Sequence, residues 1–241
     1  MAKFFIVGAG PGRADLLTVR AARVLAQANV VLYDRLVSAE VLDLAGPGAE
    51  LVYVGKEEGE QAEGQRRIFG LFEVYGRGGR NVVRLKGGDP MVFGRGAEEW
   101  AWLVERGWDV ELVPGISSSL AVPALAGVPV TYRGVATGFA VVTGHADTRW
   151  ADYAQVPTLV VLMGAARRAE IARALIVAGR PASEPVCFVE NGTTSRERVI
   201  TGTLSDVAQG RLAVRAPAVF VTGEVVRVRE ALQPLLAQAI A

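Results

Sequence analysis

The residues with the clearest chemical potential stand close to the start of the chain. FFIVGAGPG (residues 4–12) places three glycines after a short apolar run, and Asp34 ends the next apolar run, VVLYD. Glycines at this spacing let a backbone loop hold a pyrophosphate, and an acidic residue about 20 positions further on binds the ribose. The pattern therefore raises the hypothesis of an NAD or FAD site.

Three features of the same stretch argue against a dinucleotide. Arg13 occupies the position of the third fingerprint glycine, where its side chain prevents close packing of helix on strand. Pro11 removes a backbone N–H from the loop. The next helix is capped as late as Thr18, too far away to hold a phosphate at its N-terminus. We disfavour NAD or FAD, and retain a nucleotide-binding regulatory module, built on the first half alone, as an alternative from a different class.

The most specific segment is RLKGGDPMVFGRG, residues 84–96. Gly87 and Gly88 permit unusual backbone torsions and let a ligand touch the main chain. Asp89 can accept hydrogen bonds from a ligand ammonium or hydroxyl group, and Pro90 stiffens the exit. On the residues alone, an ordinary tight turn with Asp89 as a helix cap is equally open.

These residues lie at the ends of strand-like runs that alternate with helical segments, which predicts an α/β fold. In the first half the runs are FFIVGAG, VVLYD, ELVYVG, NVVRLKGGDP and VELVPG, with helices in VRAARVLAQA, RRIFGLFEVYG and EEWAWLVERG. In the second half they are FAVVTGH, TLVVLMG, PVCFVENG, RVITGTL and AVFVTGEVV, with one clear helix in RRAEIARALIVAG. We predict two α/β domains, residues 1–115 and 116–241, with mainly parallel or mixed sheets and a Pro/Gly-rich junction over residues 114–134.

Composition excludes several classes of function. The net charge is +1, from 26 basic and 25 acidic residues, so no overall field favours nucleic acid. No run reaches the ~18 apolar residues of a membrane span, and FFIVGAG is too short for a signal peptide, so we expect a cytoplasmic protein. With one cysteine and one histidine we expect no disulfide and no Cys/His metal site. We interpret Cys187 as an inert core thiol and His145 as structural.

Arginine far outnumbers lysine, which occurs only as Lys3, Lys56 and Lys86. Because arginine binds carboxylates in bidentate fashion, clustered arginines could hold a polyanionic ligand.

The motifs together resemble those of uroporphyrinogen-III C-methyltransferases, a branch of the tetrapyrrole methylases. VGAGPG, YDRLVS, VGK, RLKGGDP-x-x-F-G-R-G, VPGISS, VTGH, MG and VENGT occur here in the same order and approximate spacing, from residue 4 to about residue 226. The chain resembles the stand-alone form of these enzymes. The resemblance implies two α/β domains with S-adenosylmethionine in the cleft between them, a homodimer and no metal.

The resemblance also implies an activity. Two methyl groups pass from S-adenosylmethionine to C2 and C7 of uroporphyrinogen III, giving precorrin-2 through precorrin-1 and S-adenosylhomocysteine, on the routes to sirohaem and cobalamin. An alternative of the same fold is a methylase of a later corrinoid precursor. Methylases of RNA or protein also share the fold, but the near-neutral charge and YDRLVS argue against them.

The site residues carry over by motif. The acid/base pair is Asp34 and Lys56, for which a helix cap and a surface lysine are the plain structural alternatives. Substrate carboxylates are expected at Arg35, then at Arg13, Arg66 and Arg133. The stretch after Lys56, EEGEQAEGQRR, departs from the family in being acidic and free of histidine. The expected cofactor contacts are Pro11, Gly87, Gly88, Asp89, Val92, Ser117, Ser118, Met163 and Gly192.

Overall fold

A computed structural model of the chain describes residues 2–55, 61–145 and 147–232. The chain divides into two compact units, Met1–Ser117 and Ser118–Ala241. Each unit contains one five-stranded sheet. The prediction of an α/β fold with two sheets is confirmed.

The first unit is built on a fully parallel sheet with the order β3-β2-β4-β1-β5. Its strands are β1 (Lys3–Gly8), β2 (Val30–Tyr33), β3 (Glu50–Tyr53), β4 (Asn81–Lys86) and β5 (Asp109–Val113). Its helices are α1 (Val19–Ala26), α2 (Ala39–Leu42), α3 (Gln61–Gly76) and α4 (Gly96–Val104). All five strands predicted for the first half are therefore present.

Alternation along the strands gives this sheet two buried faces. Phe5 and Val7 of β1 pack with Val24 of α1 on one face, which α2 also covers. Phe4 and Ile6 point to the other face, where α3 and α4 supply Ile68, Phe72 and Leu103. Because successive side chains of a strand point to opposite faces, each position on β4 is assigned to one helical layer.

The second unit has a mixed sheet with the order β6-β7-β10-β8-β9. Its strands are β6 (Phe139–Thr143), β7 (Thr158–Leu162), β8 (Pro185–Glu190), β9 (Arg198–Thr203) and β10 (Ala218–Thr222). Only β6 and β7 pair in parallel; β10 runs antiparallel to both β7 and β8, and β9 antiparallel to β8. The mixed sheet and the five strands predicted for the second half are confirmed.

The helices of the second unit are α5 (Ser118–Leu125), α6 (Arg168–Val177) and α7 (Leu204–Ala208). Helices α6 and α7 cover one face of the sheet, and Val122 of α5 packs on the other. The sequence predicted one clear helix in this half, whereas its described residues form three. The first helix missed, α5, lies inside the predicted junction and contains Pro123, which marks helix boundaries more often than interiors. The second, α7, has only five residues and a Thr203–Asp206 capping box.

Candidate active site

Three loops of the first unit meet at the carboxyl edge of its sheet. Gly88 N–H donates to Gly10 O (2.7 Å) and Gly10 N–H to Gly88 O (3.2 Å), which joins the loops after β1 and β4. A Cβ on Gly8 would lie 2.5 Å from Gly115 Cα and 2.7 Å from Gly88 O. Because any side chain would collide with backbone there, glycine is required for the loops to approach so closely.

The carboxylate of Asp89 ties two of these loops together. Oδ1 accepts from Met91 N (2.8 Å), as in an Asx turn, and Oδ2 accepts from Gly115 N at 3.0 Å. The tight turn considered for KGGDP is therefore present. The remaining lone pairs of the two oxygens leave acceptor capacity for a ligand.

The loop that contains YDRLVS lies against the same edge. A Cβ on Gly87 would lie 3.0 Å from Leu36 Cβ, and Ser38 Oγ donates to Gly12 O at 2.6 Å. The structure thus brings together the segments GAGPG, YDRLVS and KGGDP. Of the other predicted cofactor residues of this unit, Pro11 and Val92 are half-buried in these loops and Ser117 is buried after β5.

Asp34 follows β2 at this edge and is held by Arg84 of β4. The Nη2 atom of Arg84 donates to both carboxylate oxygens of Asp34, at 2.7 and 2.8 Å. Helix α2 is capped by Ser38, whose Oγ accepts from Val41 N, so Asp34 is not its cap. The Asp34 side chain is 29% exposed, whereas that of Arg84 is 2% exposed. Asp34 therefore presents part of its carboxylate outward from an otherwise buried pair.

Behind Asp34 lies a buried ionic network that the sequence did not reveal. Lys86 Nζ lies 2.9 Å from Glu99 Oε1 and 3.9 Å from Asp34 Oδ2. Glu99, on α4, also lies 3.3 Å from Arg84 Nε through Oε2, and Oε1 accepts from Gln65 Nε2 of α3 at 3.3 Å. Burial lowers the pKa of Lys86 and the Arg84 guanidinium lowers it further, while the carboxylates of Glu99 and Asp34 act in the opposite direction.

A signal for this network does exist in the strand itself. In NVVRLK, Arg84 and Lys86 alternate with apolar residues, so both side chains point to the face covered by α3 and α4. Charged residues on a buried face require partners of opposite charge. The sequence shows the need for a carboxylate, but only the packing of α4 identifies it as Glu99.

The remaining predicted site residues of the first unit are one lysine and three arginines. Lys56 lies outside the described residues. Arg35 is exposed next to Asp34 and has no ion pair within the part of the chain that the structure describes. Arg13 is exposed and paired with Asp15, and Arg66 is exposed on α3.

In the second unit, the predicted residues also follow strands. Strands β6, β7 and β8 point the same way, so the loops after them share an edge. Met163 follows β7 and is 48% exposed. Gly192 follows β8, where a Cβ would lie 2.5 Å from Val122 of α5. Ser118 begins α5, whereas Arg133 is exposed after it.

Several non-glycine residues in the motif loops adopt left-handed backbone conformations. They are Phe93 (φ 52°), Arg95 (φ 59°), Met163 (φ 57°), Asn191 (φ 47°) and Thr193 (φ 69°). Such conformations cost about 1–3 kcal/mol each and concentrate at functional sites. All five lie after β4, β7 or β8, in the loops that contain predicted cofactor residues.

Two further sets of reactive groups are the cysteine thiol and the described side chains of metal-ligating types. Cys187 is fully buried in β8, and burial raises the pKa of its thiol to about 12. Within residues 2–55, 61–145 and 147–232, His, Cys, Asp and Glu form no group of three that could hold a metal ion. Over the same residues, no helix has the length and apolar character needed to cross a membrane.

Comparison with known proteins gives consistent matches. The sequence profile of the tetrapyrrole (corrin/porphyrin) methylases matches residues 3–208. A uroporphyrinogen-III C-methyltransferase from Methanobacterium ivanovii is 48% identical over 211 residues, which cover 85% of this chain and 90% of that protein. Siroheme synthase 2 of Aeromonas hydrophila is 44% identical over 233 residues, covering 94% of this chain and 50% of the synthase. The chain spans about half the length of the sirohaem synthases that it matches.

A solved structure extends the similarity to three dimensions. The crystal structure of uroporphyrin-III C-methyl transferase from Thermus thermophilus complexed with S-adenyl homocysteine is 49% identical to this chain, with a TM-score of 0.84. The match covers 94% of each chain. At that identity, TM-score and coverage, the two chains share one fold.

Proposed function

Since the chain belongs to the family of tetrapyrrole (corrin/porphyrin) methylases, we propose that it transfers two methyl groups from S-adenosylmethionine to uroporphyrinogen III. The methyl groups go to C2 and C7, and the product is precorrin-2, formed through precorrin-1. The relatives named for this reaction and for sirohaem synthesis support the assignment. The product then feeds sirohaem or cobalamin synthesis.

The meeting of three motif loops at one sheet edge carries this proposal. GAGPG, YDRLVS and KGGDP approach within backbone contact, and the partly exposed carboxylate of Asp34 lies beside them. Ligands of parallel α/β sheets bind beyond the carboxyl ends of the strands. At this edge, glycine backbone without side chains lies next to Asp34, whose carboxylate is paired with the buried Arg84. Such an edge suits a ligand that requires both close contact with the backbone and proton transfer.

The residues at the strand ends fit S-adenosylmethionine. Backbone around Gly87 and Gly88 is open to close approach, Asp89 has acceptor capacity for an amino or hydroxyl group, and Met163 offers an exposed apolar surface. When bound, the cofactor supplies an electrophilic methyl group on its sulfonium. In our proposal the first unit contributes Pro11, Gly87, Gly88, Asp89, Val92 and Ser117, and the second unit contributes Ser118, Met163 and Gly192.

Asp34 and Lys56 have the proton-transfer roles in this proposal. The macrocycle loses a proton when a methylated pyrrole carbon rearranges, and a carboxylate fixed at one place can accept it. Arg84 holds Asp34 by both oxygens, which restricts the carboxylate to one orientation. Lys56, in the VGK motif, supplies a proton elsewhere on the ring.

Arginines are proposed to bind the eight carboxylates of the substrate. Arg35 comes first, because it is exposed next to Asp34 and has no ion pair among the described residues. Arg13 would have to exchange its contact with Asp15 for a substrate carboxylate, so its contribution is smaller. Arg66 and Arg133 complete the set. We also propose a homodimer that acts in the cytoplasm without a metal, as the resemblance implies.

Parallel assays with two substrates distinguish the proposed reaction from methylation of a later corrinoid precursor. The purified chain is supplied with labelled S-adenosylmethionine and either uroporphyrinogen III or precorrin-2. We expect label in tetrapyrrole only with uroporphyrinogen III. Methylation of precorrin-2 alone would move the chain to a later step while leaving its family unchanged.

A further inference from the structure

Four charged side chains in the first unit form one connected group, of which only Asp34 reaches the surface. Asp34 is 29% exposed, whereas the side chains of Arg84, Lys86 and Glu99 are at most 4% exposed. Two cations therefore lie between two carboxylates, with contacts between 2.7 and 3.9 Å. Buried charges of this kind are tolerated only when each has a partner.

Glu99 is the inner counter-charge of this group. It lies 2.9 Å from Lys86 Nζ and 3.3 Å from Arg84 Nε, so it contacts both cations. From α3, Gln65 Nε2 donates to Glu99 Oε1 at 3.3 Å. With Glu99 in place, Lys86 remains 3.9 Å from Asp34, beyond hydrogen-bond distance, and Arg84 alone makes the close contacts to that carboxylate.

We propose that Glu99 and Lys86 are positioning residues that keep the Asp34 carboxylate held by a single cation and available to accept a proton. This inference rests on the proposed function, in which Asp34 is the proton acceptor. Neither Glu99 nor Lys86 touches substrate in this account, because both side chains are buried behind Asp34. Their effect is transmitted by Arg84 and by the charge of Lys86.

Loss of the Glu99 carboxylate leaves Lys86 with Asp34 as its remaining acidic neighbour among the described residues. In Glu99→Gln the Lys86 ammonium loses its closest carboxylate, and the other one in contact with it is Asp34. A second cation at hydrogen-bond distance would make Asp34 a weaker proton acceptor. Raising the pH removes the Lys86 proton and relieves this effect, since the carboxylate that favours the charged amine is gone.

Kinetics of four proteins test this statement. We expect Glu99→Gln to lower kcat about tenfold or more near pH 6.5, because a positioned base contributes about 10²–10⁴-fold, and to recover towards the wild-type kcat as the pH rises. Lys86→Met in the same chain restores the balance of charge, so the Glu99→Gln/Lys86→Met protein should regain most of the kcat at pH 6.5. Glu98→Gln, one residue away and 56% exposed, is the matched control and should equal wild type.

A second readout does not depend on turnover. The chain has three lysines, so ¹³C-lysine NMR resolves Lys86, and Lys86→Met assigns its signal. We expect both Asp34→Asn and Glu99→Gln to lower the pKa of Lys86, because each removes a carboxylate that raises it. Retained S-adenosylhomocysteine binding by every variant establishes that each one is folded.

The outcomes separate the inference from the proposed function. A Lys86 titration unchanged by both substitutions overturns the network, whatever the activity. Two results overturn the positioning role while the enzyme assignment stands. One is a loss of kcat in Glu99→Gln that does not depend on pH and that Lys86→Met does not relieve. The other is a Glu99→Gln protein as active as Glu98→Gln. A wild-type protein that makes no methylated tetrapyrrole, with the Lys86 titration still responding, overturns the proposed function, and the positioning role falls with it.

Discussion

The carboxylate of Asp34 combines a fixed orientation with partial exposure. Arg84 holds both oxygens from the protein side, and 29% of the side chain remains accessible. A group held in this way can receive a proton without reorganising, which is the advantage of a preorganised base.

Replacement of this carboxylate separates chemistry from cofactor binding. We expect Asp34→Asn to bind S-adenosylhomocysteine with the wild-type Kd but to lose about 100-fold or more in kcat, since the amide keeps the shape and cannot accept the proton. Isothermal titration and single-turnover assays measure the two quantities. Asp43→Asn, at an exposed position after α2, is the control and should leave both unchanged. Weak cofactor binding with normal kcat would instead place Asp34 in the cofactor site.

The thiol of Cys187 makes a separate prediction about pH. Its pKa is about 12 in the folded protein and ordinarily 9.0, so the unfolded thiol ionises first. Unfolding therefore releases a proton above pH 9, and this contribution to the free energy of unfolding is complete at lower pH and is lost as the pH rises. Between pH 8 and 10 the loss is about 1.4 kcal/mol.

Urea denaturation of wild type and Cys187→Ala at the two pH values measures this contribution. Wild type should lose more stability on going to pH 10, by the amount given above, because the variant has no thiol to ionise. Equal losses in the two proteins would show that the thiol ionises as readily in the folded chain as in the unfolded one.

Individual residues were predictable to different degrees. The positions of Asp34 and of the glycines could be predicted, because strand ends and glycine clusters are visible in the sequence. Glu99 could not, since GAEEWAWLV offers two adjacent glutamates and only the packing of α4 decides which one is buried. For Asp89, the sequence indicated a tight turn, which the structure contains. Its hydrogen bond with Gly115 N–H could not be predicted, because Gly115 lies in a loop 26 residues away.

The loops after the strands depend on glycine for close contact. A Cβ on Gly8, the last residue of β1, would collide with the backbone of Gly115 and Gly88. We expect Gly8→Ala to lower the free energy of unfolding by about 2 kcal/mol, because backbone on both sides prevents relaxation. Gly70→Ala, in the exposed middle of α3 with open space around its Cα, should instead raise it by about 0.5–1 kcal/mol.

Thermal or denaturant unfolding of these two glycine variants tests the requirement directly. Opposite signs are expected from the same chemical change. A Gly8→Ala protein as stable as wild type would mean that the loops after β1, β4 and β5 are not packed as closely as described.

Strands were easier to predict than helices. Most of the ten described strands are compact runs rich in β-branched and apolar residues, and a glycine follows within two residues of their ends. Helix α5 was missed because Pro123 and neighbouring Pro/Gly residues resemble a linker, and tertiary packing of Val122 overrides that local signal. Short helices such as α7 are fixed by their caps more than by periodicity.

For the whole chain, binding of S-adenosylhomocysteine or of NAD distinguishes a methylase from a dinucleotide-binding module. Helix α1 begins at Val19 with Thr18 as its cap, and Arg13 stands where the third fingerprint glycine would be. The α1 N-terminus therefore begins well beyond the GAGPG loop, as expected from the sequence. In titration calorimetry of the full chain we expect S-adenosylhomocysteine to bind and NAD to give no heat. Binding of NAD in preference would support the regulatory module.

The fold class was predictable for the whole chain because the alternation of strands and helices is regular in both halves. The order of strands was not, since β-strand neighbours such as β4 and β1 are far apart in sequence. That order is what places Arg84 beside Asp34 and Gly88 beside Gly10, and hence it creates the site from separate motifs.

The structure of the product decides whether the chain methylates uroporphyrinogen III as proposed. Uroporphyrinogen III is incubated with the chain and S-adenosylmethionine labelled with ¹³C in its methyl group, and the tetrapyrrole is analysed by mass spectrometry and ¹³C NMR. We expect two labelled methyl groups per molecule, at C2 and C7, with a singly methylated intermediate early in the time course. A folded protein that binds S-adenosylhomocysteine but leaves uroporphyrinogen III unlabelled, or labels other positions, would rule out the proposed reaction.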